Sequence, residues 1–177
     1  MKILIVLVSM LMLSTFAVPA QARDTEVDFT SDKLKSYLER MGVEYKRATD
    51  TEGAYVLTKR EGVTHADRLI TLIVNNPSAE QLEIFTYPEI DGKFLNIDRL
   101  STSESQRAFY EKLVRVNHKS FGMFFVDSDG DIGLRFTFST ENGIGFDAFR
   151  IVVENCQRVA DRFTPTIISF MQTDQGY

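Results

Sequence analysis

The chain has 177 residues, a formal net charge of −5, one cysteine, two histidines and no tryptophan. The negative charge argues against nucleic-acid binding, which requires a basic patch, and lysine and arginine never occur in runs longer than two. A single cysteine excludes a disulfide within the chain. No apolar stretch that follows Ala22 is long enough to span a bilayer.

The segment 1–22 has the pattern of a cleaved export signal. Lys2 supplies the positive start, the segment 3–13 is almost wholly apolar, and Ala20-Gln21-Ala22 gives the small-x-small pattern of a cleavage site. We therefore expect a mature chain that begins at Arg23, with 19 basic and 25 acidic residues and a net charge of −6. It would be periplasmic or secreted in a bacterium, without membrane attachment. Residues 23–177 are expected to form one domain.

The first half of the mature chain is predicted to be a helix followed by strands. A polar cluster at residues 30–32 begins the helix, and Gly42 ends it. Its apolar face has i, i+3, i+4, i+7 spacing and comprises Leu34, Tyr37, Leu38 and Met41. Strands are predicted at residues 43–48, 54–59, 69–74 and 82–87, with a short extended piece at 94–97. Five of the six residues of 69–74 are apolar, so this strand is expected to be covered on both faces.

A second helix is predicted over residues 101–117, with Ser101 or Ser103 as its N-cap. Its inner stripe comprises Phe109, Leu113 and Val116, with Ala108 beside them. The strongest local signal follows. Two alternating segments, 120–126 and 132–139, flank an Asp-Ser-Asp-Gly-Asp turn, and this pattern predicts a β-hairpin.

A third helix is predicted from about residue 145 to 163, with Pro165 ending it. One last helical turn would then pack on the core through Ile167, Ile168, Phe170 and Met171. The full order is α-β-β-β(-β)-α-β-β-α. Because the strands are grouped in hairpins between helices, this order predicts an α+β fold with a mostly antiparallel sheet flanked by three helices.

Several segments resemble the YbjN-like domain family. They are Leu113–Asn117 at the end of the second helix, Phe124–Ile132 in the hairpin, and Asn142-Gly143-Ile144 before the last helix. The N-terminal part is similar too, with a helix ending at Gly42-Val43, then a strand, Asp50, Gly53 and a second strand. The resemblance covers nearly the whole mature chain.

This resemblance implies the fold of type III secretion chaperones, an α+β sandwich that often forms dimers. The family is described as sensory or regulatory and has no established catalytic residues, so the resemblance implies no active site. The chain departs from the pattern in two respects. Secretion chaperones are cytoplasmic, whereas this sequence carries an export signal, and the family's asparagine often stands in a tryptophan-containing stretch that is missing here.

The acidic turn at residues 127–131 has some features of a calcium loop. An EF-hand loop requires glycine at its sixth position and glutamate at its twelfth. Counted from Asp127, these positions hold Ile132 and Phe138. The sequence therefore favours a solvated hairpin turn, and it leaves open whether Asp127, Asp129 and Asp131 bind a cation weakly.

The remaining chemistry-bearing residues do not form a recognisable site. His65 and His118 are the only histidines, and no nucleophile elbow or glycine-rich loop accompanies them. Two distant histidines do not make a zinc site. Cys156 lies on the apolar face of the third helix, which predicts a buried core thiol. We predict no catalytic, cofactor-binding or metal-binding residue.

The strands at 69–74 and 120–126 carry apolar side chains on both faces. The second apolar face either belongs to a two-sided core or is covered by a homodimer partner, another protein or a ligand. In these strands, one set of alternating residues comprises Ile70, Leu72, Val74, Phe124 and Val126. We predict that Phe124, Val126, Ile70 and Leu72 contact a partner.

These observations favour an exported, non-enzymatic binding or regulatory protein that engages a protein or peptide, as a monomer or a homodimer. The alternative is a periplasmic carrier or sensor that closes the same apolar layer over a small molecule or a lipid-like ligand. A hydrolase with an unrecognised site is a third interpretation. No cofactor is expected.

Overall fold

The computed structural model describes residues 29–49, 51–118, 120 and 122–172. The predicted export signal with its cleavage after Ala22, and Asp50 of the family resemblance, lie outside these residues. Among the helices that the structure describes, none has both the length and the apolar character needed to cross a membrane.

The described residues form three α-helices and seven strands. The helices are α1 (Ser31–Met41), α2 (Ser103–Asn117) and α3 (Phe146–Gln172). The strands are β1 (Tyr45–Arg47), β2 (Ala54–Lys59), β3 (Arg68–Asn76), β4 (Gln81–Ile90), β5 (Lys93–Phe94), β6 (Met123–Val126) and β7 (Ile132–Ser139). Short 3-10 helices occur at Pro77–Ala79 and Ile97–Arg99.

All seven strands belong to one antiparallel sheet. Its order is β1-β2-β3-β4-β7-β6, and β5 pairs with β4 beside this path. The predicted α+β architecture, with a mostly antiparallel sheet and three helices, is confirmed. The predicted hairpin is confirmed too, since β6 and β7 pair directly across the acidic turn.

The first helix follows its sequence signals closely. The Thr30 hydroxyl accepts a hydrogen bond from the Lys33 N–H at 3.2 Å, which satisfies one free donor of the first turn. Gly42 ends the helix in the left-handed conformation, with φ of 67°, and its N–H donates to the Glu39 carbonyl. Leu34 and Leu38 are fully buried, as the spacing predicts.

The core consists of two clusters on one face of the sheet. The first half of α3 and helix α1 contribute to one cluster, which includes Leu34, Leu38, Ile73, Ile84 and Phe149. The second half of α3 and helix α2 contribute to the other, which includes Leu69, Phe109, Leu113, Leu134 and Ile167. Each fully buried Leu, Ile or Phe side chain contributes about 1.5–3 kcal/mol. Helix α3 therefore connects both halves of the core.

The prediction that Pro165 ends the third helix is wrong, because α3 continues to Gln172 with Pro165 inside it. An interior proline costs a helix about 3 kcal/mol. Beyond it, Ile167 and Met171 are both buried in the core. Their burial contributes about 1.5–3 kcal/mol each, which offsets the cost of the proline.

Other boundaries also differ from prediction. Thr102, rather than a serine, caps α2 and accepts from the Ser105 N–H at 3.1 Å, and Ala108 is exposed. Strand β4 continues past Pro88 to Ile90. The predicted extended piece at 94–97 is divided between β5 and a 3-10 turn.

The exposed edge of β6 is closed by a side chain from α2. The Asn117 Nδ2 donates to the Phe124 carbonyl at 2.9 Å, and the Phe124 N–H donates to Asn117 Oδ1 at 2.6 Å. Beside it, the Ser120 hydroxyl donates to the Gly122 carbonyl at 2.9 Å. These side chains form hydrogen bonds with backbone groups at the β6 edge that would otherwise be free to pair with another strand.

The loop between β2 and β3 is held to α3 by the carboxylate of Asp161, which is 7% exposed. One oxygen accepts from the Thr64 N–H at 3.0 Å and its hydroxyl at 2.8 Å. The other accepts from the N–H groups of His65 at 2.8 Å and Ala66 at 3.1 Å. Burial acts to raise the pKa of Asp161, but these hydrogen bonds outweigh it and hold the pKa below its ordinary value.

We predict that Asp161→Asn lowers the free energy of unfolding by about 2–4 kcal/mol at pH 7, because an amide NH₂ would face N–H and O–H donors. The folded-state pKa lies below the unfolded value of about 3.9, so the carboxylate stabilises the chain above about pH 4. This contribution is lost as the pH falls through the folded-state pKa. Urea unfolding at pH 7 and pH 3 should therefore show a smaller difference from wild type at pH 3.

The matched control is Asp147→Asn in the first turn of α3, whose side chain is largely exposed. It should change stability by less than about 0.5 kcal/mol at either pH. An Asp161→Asn chain with the stability of this control would contradict a stabilising role for the carboxylate.

Candidate functional site

The candidate site is the sheet face opposite the three helices, which we call the open face. Its apolar side chains are those of Val56, Ile70, Leu72, Val74, Phe85, Tyr87, Met123 and Phe125. None of them belongs to, or packs against, either core cluster of the described residues. Met123 is 51% exposed, and the others in strands β2, β3, β4 and β6 are half-buried. The expectation that the strand at 69–74 is covered on both faces is therefore wrong for the part of the chain that the structure describes.

The register of the strands arranges the open face in two adjacent rows, which we call the apolar band. One row runs across the sheet through Val56, Leu72, Phe85, Arg135 and Met123. The other row runs through Thr58, Ile70, Tyr87, Gly133 and Phe125. The band crosses five strands, so it is a continuous surface rather than a set of isolated apolar residues.

Four aromatic rings form one half of this surface. The Phe125 ring centroid lies 5.7 Å from that of Phe85 and 5.8 Å from that of Tyr87, both with edge-to-face geometry. Tyr87 also contacts Phe94 at 5.5 Å. These lateral contacts stabilise the rings where no helix covers them, at about 0.5–1.5 kcal/mol for each pair.

Gly133 provides the space that the rings occupy. A Cβ atom built at this position would lie 2.9 Å from Tyr87 Cε1 and 3.0 Å from Phe125 Cε1. The position requires glycine because of this close approach rather than because of a positive φ angle.

Charged residues lie in the rows on either side of the apolar band. On one side Arg68 Nη2 lies 2.7 Å from Glu89 Oε1. On the other side Glu83 pairs with Arg135, which lies within the band and has its guanidinium carbon 5.5 Å from the Phe85 ring centroid. The surface thus combines a mainly apolar centre with charged borders, the usual composition of a binding surface.

The acidic turn is tied to the open face. The Tyr87 hydroxyl hydrogen-bonds to Asp127, and burial together with this carboxylate raises the pKa of Tyr87. Asp127 Oδ1 also accepts from the N–H groups of Asp129 at 3.0 Å and Asp131 at 2.9 Å. Asn96 Nδ2 donates to Asp131 Oδ1 at 2.8 Å. The carboxylates of Asp127 and Asp131 therefore stabilise the turn. Among the described residues, no group of three or more His, Cys, Asp or Glu side chains is placed to hold a metal ion.

The four predicted partner-binding residues do not share one face. Ile70 and Leu72 lie on the open face, but Phe124 is 3% exposed in the core, and Val126 packs against the same cluster. Their assignment to one surface is wrong because Phe124 pairs with Leu134, and Val126 with Ile132, on the helix-covered side. The site residues of β6 are Met123 and Phe125 instead.

The hairpin itself contains the signal that would have corrected this assignment. Ile132, Leu134, Phe136 and Phe138 alternate with small or polar residues, so this side of β7 must face the core. Continuing the register through the acidic turn places Phe124 opposite Leu134. Sequence reasoning also missed Val56, Phe85 and Tyr87, because nothing in their local pattern shows which face of β2 or β4 the helices cover.

The other candidate residues are placed outside the open face. Cys156 is fully buried in the core as predicted, and burial raises the pKa of its thiol to about 12. His65 is exposed in the loop bound by Asp161, and His118 is exposed at the end of α2.

A family model described as "YbjN: Putative bacterial sensory transduction regulator" matches residues 30–169. Among solved structures, YbjN from E. coli, described as a putative transcription regulator, has a TM-score of 0.59 at 13% identity, with 81% of this chain and 94% of that chain covered. A chain of the ExsC-ExsE complex has a TM-score of 0.54 at 16% identity, with 80% and 97% covered. At these identities the likeness concerns the fold. A search of curated proteins found no match.

We predict that Gly133→Ala lowers the free energy of unfolding by about 1–3 kcal/mol, because the added methyl group must displace the rings of Tyr87 and Phe125. Gly145→Ala is the matched control, since a Cβ atom there meets nothing within 4 Å. Urea unfolding of both variants measures the difference. Equal stability of the two variants would show that the rings do not need the space at Gly133.

Proposed function

Because the chain belongs to the YbjN family, described as putative bacterial sensory transduction regulators, we propose that it is an exported regulatory protein that binds a protein or peptide partner. Membership of this family suggests a regulatory or binding role rather than an enzymatic one. The open face would contact the partner. The observation that carries the proposal is a five-strand apolar band that no described helix covers.

The composition of the open face supports a protein partner. Scattered apolar side chains are ordinary on protein surfaces, but a contiguous apolar surface with a polar border is typical of interaction sites. Aromatic, Met and Arg side chains are enriched in protein interfaces, and the band contains all three. A protein complex, ExsC-ExsE, is also among the structures that share this fold.

The edges of the sheet support contact through the face rather than strand addition at β6. Asn117 and Ser120 already bond the outward backbone groups of Phe124 and Gly122. The other edge strand, β1, has three residues, and two of them are Lys46 and Arg47. Short edge strands with basic residues are a common protection against strand addition. A small-molecule carrier is the alternative. It would need a further element to cover the bound ligand, and no described helix lies over the band, so this alternative stays a prediction.

The export part of the proposal rests on the signal-like segment 1–22. We predict that the chain isolated from the periplasmic fraction or the medium of its bacterial host begins at Arg23, because signal peptidase would cleave after Ala22. Intact-mass spectrometry of the purified protein measures the N-terminus directly. A chain that retains Met1 and remains in the cytoplasmic fraction would refute export without affecting the binding role.

The binding part is tested by photo-crosslinking in the native host, with a photoreactive phenylalanine analogue in place of Met123. Ile151 on α3 is the matched control position, since it is 49% exposed and lies outside the open face. We predict a discrete adduct from position 123 and none from position 151. The adduct should disappear when Leu72→Lys is added, because a charge would then interrupt the band. Equal adducts from both positions, or none from position 123, would argue against the open face as the contact surface.

A further inference from the structure

We propose that the partner's contact element is a single amphipathic helix that lies along the apolar band, an inference that rests on the proposed function above. Three observations lead to it. They are the apolar character of the band, its dimensions, and the charged pairs on its borders.

The apolar character of the band selects a helix over an extended peptide. Side chains such as Ile70, Leu72 and Phe85 offer no hydrogen-bonding atoms to a peptide laid on them. An extended segment would therefore bury backbone N–H and C=O groups without partners, at a cost of about 1–3 kcal/mol each. A helix satisfies these groups internally and presents only side chains to the band.

The dimensions of the band fit one helix. It crosses five strands, β2 to β6 in the spatial order β2-β3-β4-β7-β6, which corresponds to about 19 Å at a spacing of about 4.8 Å. Its two rows are two residues apart along each strand, or about 7 Å. A helix about 10 Å wide, with a rise of about 1.5 Å per residue, covers this length with about 13 residues.

The charged pairs disfavour a second copy of the chain as the occupant. Packing two open faces together would bring the pairs Arg68–Glu89 and Arg135–Glu83 of both copies into the contact, where they would lose solvent. A single helix along the band is narrower and leaves Arg68 and Glu89 at its rim.

Charged side chains lie in the rows on both sides of the band. Arg68 and Glu89 lie beside the row of Ile70 and Tyr87, and Glu83, which pairs with Arg135, lies beside the row of Leu72 and Phe85. A helix with an apolar stripe flanked by charged side chains of either sign can bond to these pairs at its rims while its stripe contacts the centre. The partner segment would therefore have apolar residues at i, i+3, i+4, i+7 and i+11 between polar ones.

The experiment measures how far apart, in the partner's sequence, the residues captured at positions 58 and 123 are. Thr58 and Met123 are both exposed and lie at opposite ends of the band, on β2 and β6. A photoreactive phenylalanine analogue is placed at one position or the other of the full chain in its native host. Mass spectrometry then identifies the partner residue that each position captures. The two positions are about 20 Å apart by strand spacing and register.

A helical partner would be captured at two residues about 13 apart in its sequence, since each residue of a helix advances about 1.5 Å. An extended partner would be captured at residues about six apart, at about 3.3 Å per residue, and this result would overturn the inference while leaving the proposed function intact. Adducts to a second copy of this chain would overturn it as well. Adducts from neither position would reject the proposed function itself, and the inference with it.

A variant checks that the captured helix depends on the centre of the band. Leu72→Lys should abolish the adducts at both positions, whereas Ile151→Lys, on α3, should leave both unchanged. Circular dichroism of each variant verifies that it is folded. If a folded Leu72→Lys chain forms both adducts as wild type does, the helix does not lie on the band.

Discussion

The structure depends on the packing of α3 across one face of the sheet. This helix contributes Phe149 and Val153 to the core cluster shared with α1, and Ala160 and Ile167 to the cluster shared with α2. No other described helix contacts both clusters. Since the buried residues beyond Pro165 belong to the same stripe, the helix continues through a proline that would end it in isolation. Burial of apolar surface outweighs the local preference of the chain at this point.

The helices cover only one face of the sheet, and this determines how the side chains of the open face are packed. The helices bury one set of alternating residues in every central strand, and the opposite set is left with only its neighbours in the sheet. The rings of Phe85, Tyr87 and Phe125 are stabilised by one another. The guanidinium groups of Arg68 and Arg135 are partly exposed, and each pairs with a glutamate that is more buried than the arginine. The result is a surface that is ordered without a cover and still has apolar area to bury against a partner.

Two polar side chains from the helices satisfy backbone groups at places where regular pairing ends. Asp161 binds three consecutive N–H groups of the β2–β3 loop, and Asn117 binds both outward backbone groups of Phe124. Both residues act where regular pairing ends, because buried or edge backbone groups need partners. They attach a loop to α3 and occupy the outward groups of Phe124 on the β6 edge, whereas the apolar face has no such contacts with the described helices.

The sequence by itself determined the local features of this protein: the caps of α1, the hairpin across the acidic turn, the order of the elements and the burial of Cys156. These depend on interactions between residues close in the chain or on a repeating apolar pattern, which a sequence displays directly. The facing of Phe124 was also readable, from the alternation of β7 continued through the acidic turn. Only the tertiary structure decided that α3 passes Pro165, and that Val56, Phe85 and Tyr87 lie on the face of the sheet that the helices leave open. When both faces of a strand are apolar, its own pattern is symmetric, and the choice between them is made by the neighbouring strand and by the helix that packs there.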